Sequence, residues 1–594
     1  MTGGRGVSAR QLPVLDLVPP AVAPGGPRPA AAAADARVDE FRPEDQALPR
    51  FWVWTLGCQM NRSDSEEMAG RLLAAGCAEA PGMEAADLVV INTCAIREAA
   101  EAKVIGRQGF LAALKAATPA LRVVLTGCAV RERDRAGLRR RFPAVDLFLR
   151  PDEEPELVER LGLASAQGPV GLADTSGAPA PAGSDTPIGA AVAAGTLVAP
   201  RTAATTVVKG VAVSAADHLA GSRADAVASG AVRRESAVAA WLPIIYGCDK
   251  TCTYCIVPFS RGPERSRPFD EVVDEARALG AAGYREITLL GQNVNSYGHD
   301  LPAEARFAHV AEARRAGRQI DRASRPDLAE LIRAIDALRA PDGGPAVPRL
   351  RFVTSHPWDL SDRLVAAMAE SPTVCAALHL PVQSGDDEVL HRMGRQYTIG
   401  HYVERLHRIR GAIPGIAVST DVIVGFCGET EAQFAATLRL LEAIRYEQVF
   451  AAAYSPRPGT PATRLPDDVP AAVKKERLNR LLALQEGIGF ARNRERIGSV
   501  ASVLVDALER PRAHDHEEPG DELGGEAAPA TLAGRDPFAL PLREGWVRLA
   551  GRSRENRLVH LAGPSALVGG IVDVRIDAAG PYSLRGTLAW RPGP

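Results

Sequence analysis

Residues 246–255 have the sequence YGCDKTCTYC and carry three cysteines within eight positions. Cys248, Cys252 and Cys255 follow the spacing C-x-x-x-C-x-x-C in a polar loop that comes directly after a predicted strand at 242–246. Closely spaced thiolates on one loop can hold three corners of an iron–sulfur cubane. Three protein ligands leave one iron open, and an open coordination position lets a metal site act on a bound molecule. The loop therefore predicts a catalytic iron–sulfur cluster.

A structural zinc site is the main alternative for this loop. Zinc in structural sites takes four Cys or His ligands, usually as two pairs. After Cys255 the next histidine is His299 and the next cysteine is Cys375, so the sequence offers no fourth ligand nearby. The spacing therefore favours the iron–sulfur interpretation.

A series of strands and helices continues from this loop. The predicted strands lie at 242–246, 286–290, 350–354, 376–380, 416–424 and 448–454. Most of them are separated by helical patterns, for example at 270–281, 328–338, 399–409 and 431–444. Six such units predict an α/β fold, a partial (β/α)6 barrel. The cysteine loop would lie at the C-terminal end of its first strand, where the loops of a barrel converge.

Upstream of the barrel, three more cysteines repeat one local pattern. Cys58, Cys94 and Cys128 each lie just beyond a predicted strand, at 51–56, 88–92 and 121–126. Helical segments at 65–75 and 106–117 alternate with these strands, which predicts a doubly wound parallel sheet. Because the C-terminal ends of parallel strands share one edge, the three thiols can meet there. Three unrelated loop cysteines are the alternative.

Composition and element patterns together predict the domain organisation. In order along the chain we predict a disordered extension at 1–49, an N-terminal cluster domain at 50–163, a low-complexity linker at 164–234, the barrel at 235–488 and a small β-barrel at 489–594. Two surface insertions are predicted, a charged one near 302–325 and an acidic one at 513–540. Five short strands in the tail favour a barrel of the oligonucleotide-binding kind, at 501–506, 546–550, 557–561, 571–576 and 583–589.

Bulk composition sets wider limits on function. The 594 residues carry a formal net charge of −2, so any RNA contact must come from a local basic patch and not from a basic average. The nine cysteines form no disulfide framework, and we recognise neither a secretory signal nor a membrane-spanning segment. We therefore expect a cytoplasmic protein whose grouped cysteines bind metal.

The cysteine loop resembles that of the radical S-adenosylmethionine superfamily, whose members carry this spacing in this place. The resemblance implies a 4Fe–4S cluster on Cys248, Cys252 and Cys255, with S-adenosylmethionine bound to the fourth iron. Reductive cleavage of S-adenosylmethionine then gives methionine and a 5′-deoxyadenosyl radical. The radical chemistry belongs to the cofactor, and the protein supplies geometry and a dry site.

From residue 51 onward the chain resembles the methylthiotransferase family. Members combine an N-terminal cluster domain, a radical barrel and a C-terminal β-barrel called TRAM, so the tail at 489–594 is expected to be TRAM-like. The resemblance implies a second 4Fe–4S cluster on Cys58, Cys94 and Cys128, whose open iron would present sulfur to the substrate. One cluster would generate the radical and the other would deliver sulfur.

The motifs are most similar to the branch of this family that modifies prenylated adenosine in tRNA. Gln59, Met60 and Asn61 follow the first cysteine, and further matching segments lie at 92–98, 290–297, 354–357 and 380–385. The resemblance implies methylthiolation of carbon 2 of N(6)-dimethylallyladenosine beside the anticodon, with S-adenosylmethionine as methyl donor and radical source. The alternatives are threonylcarbamoyladenosine in tRNA, an aspartate of a ribosomal protein or, in another class, a non-catalytic iron–sulfur RNA-binding protein.

Short polar residues at predicted strand ends are candidates for binding S-adenosylmethionine or the target base. They are Gln292, Asn293, Ser355, Gln383, Ser384 and Asp421. Each of them has an ordinary alternative as a strand-end cap or turn residue.

Two groups of arginines are candidates for tRNA phosphate contacts. One is a run at 131, 133, 135 and 139–141, and the other lies in the tail at 548, 552, 554 and 557. A solvated basic face is the alternative for the first run. The further expected partner is an electron donor such as a flavodoxin or ferredoxin, and we expect the protein to be a monomer.

Overall fold

The computed structural model describes residues 48–94, 98–131, 135–163, 232–301, 326–508 and 542–589. Most of the predicted extension at 1–49 and of the linker at 164–234 lies outside the described residues, as do the predicted insertions at 302–325 and 513–540.

The N-terminal part is a five-stranded parallel sheet with strand order β2-β1-β3-β4-β5. Its strands are β1 Arg50–Leu56, β2 Ala78–Glu79, β3 Leu88–Thr93, β4 Arg122–Thr126 and β5 Leu147–Phe148. Its helices are Gln59–Ala74, Glu98–Gly106, Gln108–Ala117, Arg135–Arg141 and Leu157–Arg160. Every residue of β3 is buried, as expected for a parallel strand covered on both faces. The predicted doubly wound α/β sheet is confirmed.

Six parallel strands form the central part. They are β6 Ala239–Pro243, β9 Glu286–Leu290, β10 Arg349–Phe352, β11 Ala377–His379, β12 Ala417–Val424 and β13 Gln448–Ala453. They pair in the orders β6-β9-β10 and β11-β12-β13, and a parallel bridge from Leu350 to Val374 connects the two halves. This arrangement confirms the prediction of a partial (β/α)6 barrel.

Helices pack around this barrel. They are Val257–Ser260, Phe269–Ala281, Leu328–Asp336, Asp362–Glu370, Asp387–Arg392, Ile399–Ala412, Glu431–Ile444 and Ala471–Arg494. Glu431–Ile444 begins with a capping box, in which Thr430 accepts from the backbone N–H of Gln433 and the side chain of Gln433 accepts from that of Thr430. One apolar core joins the helices to the outward-facing residues of the strands.

The first predicted strand of the barrel, at 242–246, was wrong in its limits. The structure divides this segment into the end of β6 and a separate short strand β7, Ile245–Tyr246, which pairs antiparallel with β8, Arg265–Ser266. The N–H of Ile244 still donates to Leu290 O, at 2.9 Å, and the chain then leaves the main sheet. This turn carries the cysteine loop beyond the sheet edge.

The tail is a closed five-stranded barrel with strand order β14-β15-β16-β18-β17. Its strands are β14 Val500–Leu508, β15 Val547–Ser553, β16 Leu558–Gly563, β17 Ile571–Ala579 and β18 Ser583–Leu588. A core of aliphatic side chains, including Val503, Leu549 and Ile576, fills its interior. The predicted small β-barrel is confirmed.

Among the described residues, no helix is both long enough and apolar enough to cross a membrane.

Candidate metal centres and cofactor site

Cys58, Cys94 and Cys128 lie at the same edge of the N-terminal sheet, just after β1, β3 and β4. The N–H of Cys94 donates to Leu56 O at 2.8 Å, which holds the loops after β1 and β3 side by side. Burial raises the pKa of the Cys128 thiol, and Cys58 is close enough to add to that shift. The strand order therefore brings these three sequence-distant thiols to one place.

Two asparagines fix the loop that carries Cys58. The Cys58 Sγ donates to Asn61 Oδ1 at 3.3 Å, and Asn61 Nδ2 donates to Asn92 Oδ1 at 2.7 Å. Asn92 Nδ2 donates in turn to Asn61 O and to Ser65 Oγ, at 2.8 and 3.0 Å. Both asparagines are fully buried. The sequence motif after Cys58 thus has a physical role, since Asn61 orients the thiol, and sequence reasoning had assigned it none.

Cys248, Cys252 and Cys255 share the loop between β7 and the helix Val257–Ser260. The N–H of Cys255 donates to Cys252 O at 3.0 Å, and the N–H of Cys248 donates to Gly262 O at 3.2 Å. Burial raises the pKa of both the Cys248 and the Cys255 thiol to about 12. Metal binding must displace the thiol protons, so cluster binding at this loop would release protons to the solvent.

The two sets of cysteines differ from a site for a single ion. Within the described parts of the chain, no group of three His, Cys, Asp or Glu side chains is arranged to hold one metal ion. Iron–sulfur clusters instead spread their thiolate ligands over separate iron atoms. The donor chemistry of each set, three thiols and no carboxylate, suits such a cluster.

Four of the six predicted cofactor-binding residues present unpaired polar atoms near the strand ends. Gln292 Oε1, Asn293 Oδ1, Ser355 Oγ and Gln383 Oε1 are buried and have no hydrogen-bond partner among the described residues. Buried polar atoms normally find a partner, so such a concentration indicates a missing polar ligand. The residues fit a cofactor with amino, carboxylate and hydroxyl groups.

Backbone strain occurs at the same strand ends. Thr354 and Gln383 have φ values of +68° and +70°, in the left-handed region that β-branched and long side chains avoid. Strain of this kind costs on the order of 1–3 kcal/mol and is concentrated at ligand-binding sites. Two of the candidate residues are affected: Ser355 directly follows the strained Thr354, and Gln383 is itself strained.

The remaining two candidates lie beside Gln383, but their side chains already have partners. Ser384 Oγ accepts from the N–H of Asp386 at 3.3 Å and lies 3.5 Å from Thr437 Oγ1, so it has structural partners. Asp421 lies within β12 and not at its end, and its Oδ2 is 3.3 Å from His379 Nε2. The N–H of Gln383 donates to Asp421 O at 2.8 Å and Ser384 follows Gln383 directly, so the structure brings both beside one of the other four. Their side-chain oxygens differ from those of the other four in having hydrogen-bond partners among the described residues.

An ion pair beside the cysteine loop was missed by the sequence reasoning. Lys250 Nζ lies 2.7 Å from Asp359 Oδ2, which also accepts from Asn293 Nδ2 at 2.6 Å. The nearby His356 is buried, and burial together with Arg395 and Lys250 lowers its pKa to about 2. Lys250 lies inside the cysteine motif. Its partner Asp359 is 109 residues further along the chain, and no local sequence pattern predicts the contact.

The predicted RNA-contacting arginines divide into two groups. Arg139, Arg140 and Arg141 are exposed, whereas Arg131 donates to Pro458 O of the barrel. In the tail, Arg554 donates to Pro372 O and Val374 O at 2.6 Å and Arg557 contacts Glu447 and Asn493, and both join the tail to the barrel. Arg552 donates to Asn556 O, and Arg548 lies on β15. The side chains of Arg133 and Arg135 lie outside the described residues.

Comparison with known proteins shows which families this chain is similar to. The sequence profile of the radical SAM superfamily matches residues 242–441, and that of the Uncharacterized protein family UPF0004 matches residues 50–150. A protein of Acetivibrio thermocellus named tRNA-2-methylthio-N(6)-dimethylallyladenosine synthase is 35% identical over 90% of this chain and 90% of its own. A protein of the same name from Symbiobacterium thermophilum is 36% identical over 92% of this chain and 95% of its own.

Fold, cysteine loop and profile together define a radical S-adenosylmethionine enzyme that carries an iron–sulfur cluster. Within that class, the chain belongs to the family of the tRNA-2-methylthio-N(6)-dimethylallyladenosine synthases.

Proposed function

We propose that this protein methylthiolates carbon 2 of N(6)-dimethylallyladenosine, next to the anticodon in tRNA. The observation that carries the proposal is the presence of two separate sets of three cysteines at the C-terminal ends of two neighbouring parallel sheets. A radical enzyme that only cleaves its cofactor needs one such set. The names of the relatives supply the substrate.

In this proposal each set of cysteines holds a 4Fe–4S cluster with one open iron. S-adenosylmethionine, when bound, supplies a methyl group and a hydrogen-abstracting radical. Asn293, Ser355, Gln292 and Gln383 hydrogen-bond its polar groups, since their buried atoms have no other described partner. His356 remains neutral beside Lys250 and Arg395, which avoids a third positive charge near the loop.

The same proposal extends to partners and surroundings. The exposed Arg139, Arg140 and Arg141 would contact tRNA phosphates, and the target base would be unstacked from the anticodon loop before it enters the barrel. The electrons for cofactor cleavage would come from a flavodoxin or ferredoxin. We propose a cytoplasmic monomer.

Iron and sulfide content, with electron paramagnetic resonance, tests the two-cluster assignment. After anaerobic reconstitution we expect about eight irons in the wild type and about four in either triple Cys→Ala variant. About four irons in the wild type, all lost with Cys248, Cys252 and Cys255, would leave a radical enzyme without the sulfur-inserting function.

Product analysis tests the substrate. We expect a methylthio group on tRNA that carries dimethylallyladenosine, and none on the same tRNA without the prenyl group. Modification of threonylcarbamoyladenosine tRNA or of a ribosomal-protein aspartate, in place of the prenylated tRNA, would assign the chain to another branch of methylthiotransferases.

A further inference from the structure

One buried guanidinium contacts each set of cysteines. Arg261 Nε donates to Cys128 Sγ at 3.1 Å, and Arg395 Nη1 donates to Cys252 Sγ at 3.3 Å. Both arginine residues are less than 10% exposed. Such an N–H···S hydrogen bond is strongest when the sulfur carries negative charge, as a metal-bound thiolate does.

The two arginines differ in where they come from. Arg395 makes its other bonds within the barrel, to Tyr397 Oη at 3.0 Å and to Pro381 O at 3.1 Å. Arg261 also belongs to the barrel, six positions after Cys255, yet its side chain reaches into the N-terminal domain. Arg261 therefore connects the N-terminal domain, which carries Cys128, with the chain segment that follows Cys255 in the barrel.

Arg261 holds two parts of the N-terminal site. Besides Cys128 it contacts Asp64, with 2.6 Å between Nη2 and Oδ2, and both side chains are almost completely buried. Asp64 lies on the helix Gln59–Ala74, which begins directly after Cys58. The neighbouring Gly262 accepts through its carbonyl from the N–H of Cys248, at 3.2 Å. A single dipeptide thus touches both sets of cysteines.

We propose that Arg261 is the positioning residue by which the barrel holds and tunes the cluster on Cys58, Cys94 and Cys128, with Arg395 as its counterpart for the cluster on Cys248, Cys252 and Cys255. This proposal rests on the second cluster of the proposed function. A hydrogen bond to a ligand sulfur and a nearby positive charge stabilise the reduced, more negative cluster. Each arginine therefore raises the reduction potential of its own cluster.

The potentials of the two clusters give the test. In full-length protein, redox titrations followed by electron paramagnetic resonance are run with one cluster at a time removed by its triple Cys→Ala change. We expect Arg261→Met to lower the potential of the N-terminal cluster only, and Arg395→Met to lower that of the barrel cluster only. Arg261→Lys, which keeps the charge but not the planar fork, should give a smaller shift.

Arg71→Met is the matched control. Arg71 lines the same cavity between the domains as Asp64 and Arg261 but pairs with Glu67, at 2.9 Å. Its loss removes an equal charge without removing a contact to sulfur, so any shift in the potential of the N-terminal cluster should be clearly smaller than that of Arg261→Met. In product assays, Arg261→Met should lower methylthio product at least tenfold more than it lowers cleavage of S-adenosylmethionine.

A second variant covers the case in which Arg261→Met fails to load its cluster. Asp64→Asn leaves the contact to Cys128 in place but removes the counter-charge, so it should raise the potential of the N-terminal cluster. No shift in Asp64→Asn, or equal shifts of both clusters in Arg261→Met, would overturn the proposal. If the wild type itself holds only about four irons, the proposed function fails first, and that outcome is distinguishable from a failure of the arginine assignment.

Discussion

Single cysteines separate the two tasks that we assign to this protein. Cys248→Ala removes a ligand of the barrel cluster, so cleavage of S-adenosylmethionine should fall to background. Cys58→Ala leaves that cluster intact and should keep cleavage while abolishing methylthio product. Anaerobic assays of 5′-deoxyadenosine and of modified tRNA measure the two outcomes. Identical behaviour of the two variants would contradict the division of labour, and Cys77→Ala, at a buried thiol outside both sets, serves as the control.

His356 makes stability depend on pH. Its Nδ1 accepts from the N–H of Trp358 at 3.3 Å, and its pKa in the folded protein is about 2 against about 6.5 when unfolded. Below pH 6.5 only the unfolded state takes up the proton, so the fold loses up to about 1.4 kcal/mol per pH unit from this group.

Replacement of His356 should remove that part of the acid sensitivity. We expect the thermal midpoint of His356→Gln to fall less between pH 7.5 and pH 5.5 than that of the wild type, corresponding to roughly 1 kcal/mol. His407→Gln, at an exposed histidine, should follow the wild type. Parallel curves for wild type and His356→Gln would show that the imidazole is protonated in the fold.

At the residue scale the sequence marks the candidate ligands more clearly than the groups that orient them. The six cysteines are recognisable because spacing or strand-end position marks them. Arg261 is not, because its contact with Cys128 joins positions 133 residues apart and exists only after two domains dock. Asp421 is predicted to lie at a strand end, yet it lies within β12, where its Oδ2 is 3.3 Å from His379 Nε2.

The elements that present the cysteines depend on two glycines with positive φ. Gly127, at φ +93°, precedes Cys128, and a Cβ there would lie 2.4 Å from Thr93 O. Gly247, at φ +72°, precedes Cys248, and a Cβ there would lie 2.0 Å from Pro263 O. Relieving either clash would require the neighbouring backbone to move, and with it the segment that carries the cysteine. Glycine is therefore needed at both positions, where two backbone segments approach closely.

We expect an alanine substitution at either glycine to prevent binding of the nearby cluster and to leave the other cluster in place. Gly127→Ala should reduce iron from about eight to about four atoms with loss of the N-terminal cluster, and Gly247→Ala should lose the barrel cluster instead. Gly109→Ala, in the helix Gln108–Ala117 with no heavy atom near the new Cβ, should retain all the iron and gain up to about 1 kcal/mol in stability. Full iron content in both strand-end variants would refute this role.

At this scale most strands were predicted correctly, because apolar runs bounded by turn residues mark buried parallel strands. The division between β6 and β7 was not predicted. Both segments are apolar, and only the antiparallel pairing of Ile245 with Ser266 ends the main strand. A pairing with a residue further along the chain leaves no local signal.

Across the whole molecule, arginines on β10 attach the tail barrel to the radical barrel. Arg349 and Arg351 alternate with Leu350 and Phe352, which belong to the core, so they point to the opposite face. Arg349 donates to Arg552 O at 2.6 Å and to Ser502 O at 2.8 Å. Arg351 donates to the carbonyls of Ser553 and Arg554, at 2.7 and 3.0 Å. Guanidinium groups of the radical barrel thus pair with backbone carbonyls of the tail barrel.

This docking should position the tail for tRNA. Arg349→Met removes two hydrogen bonds from a charged donor across the docking surface, at roughly 1–3 kcal/mol each, and should loosen the tail. We expect faster proteolysis between the helix Ala471–Arg494 and β14, and a raised KM for tRNA. Cleavage of S-adenosylmethionine without tRNA should persist, since the cysteine loop lies at the other end of the barrel strands. Arg339→Met is the control, because this exposed arginine makes its hydrogen bonds within the described residues to carbonyls near its own helix end. An unchanged KM in a variant whose tail is demonstrably loosened would mean that tRNA is held by the N-terminal and barrel surfaces, and that the tail serves stability alone.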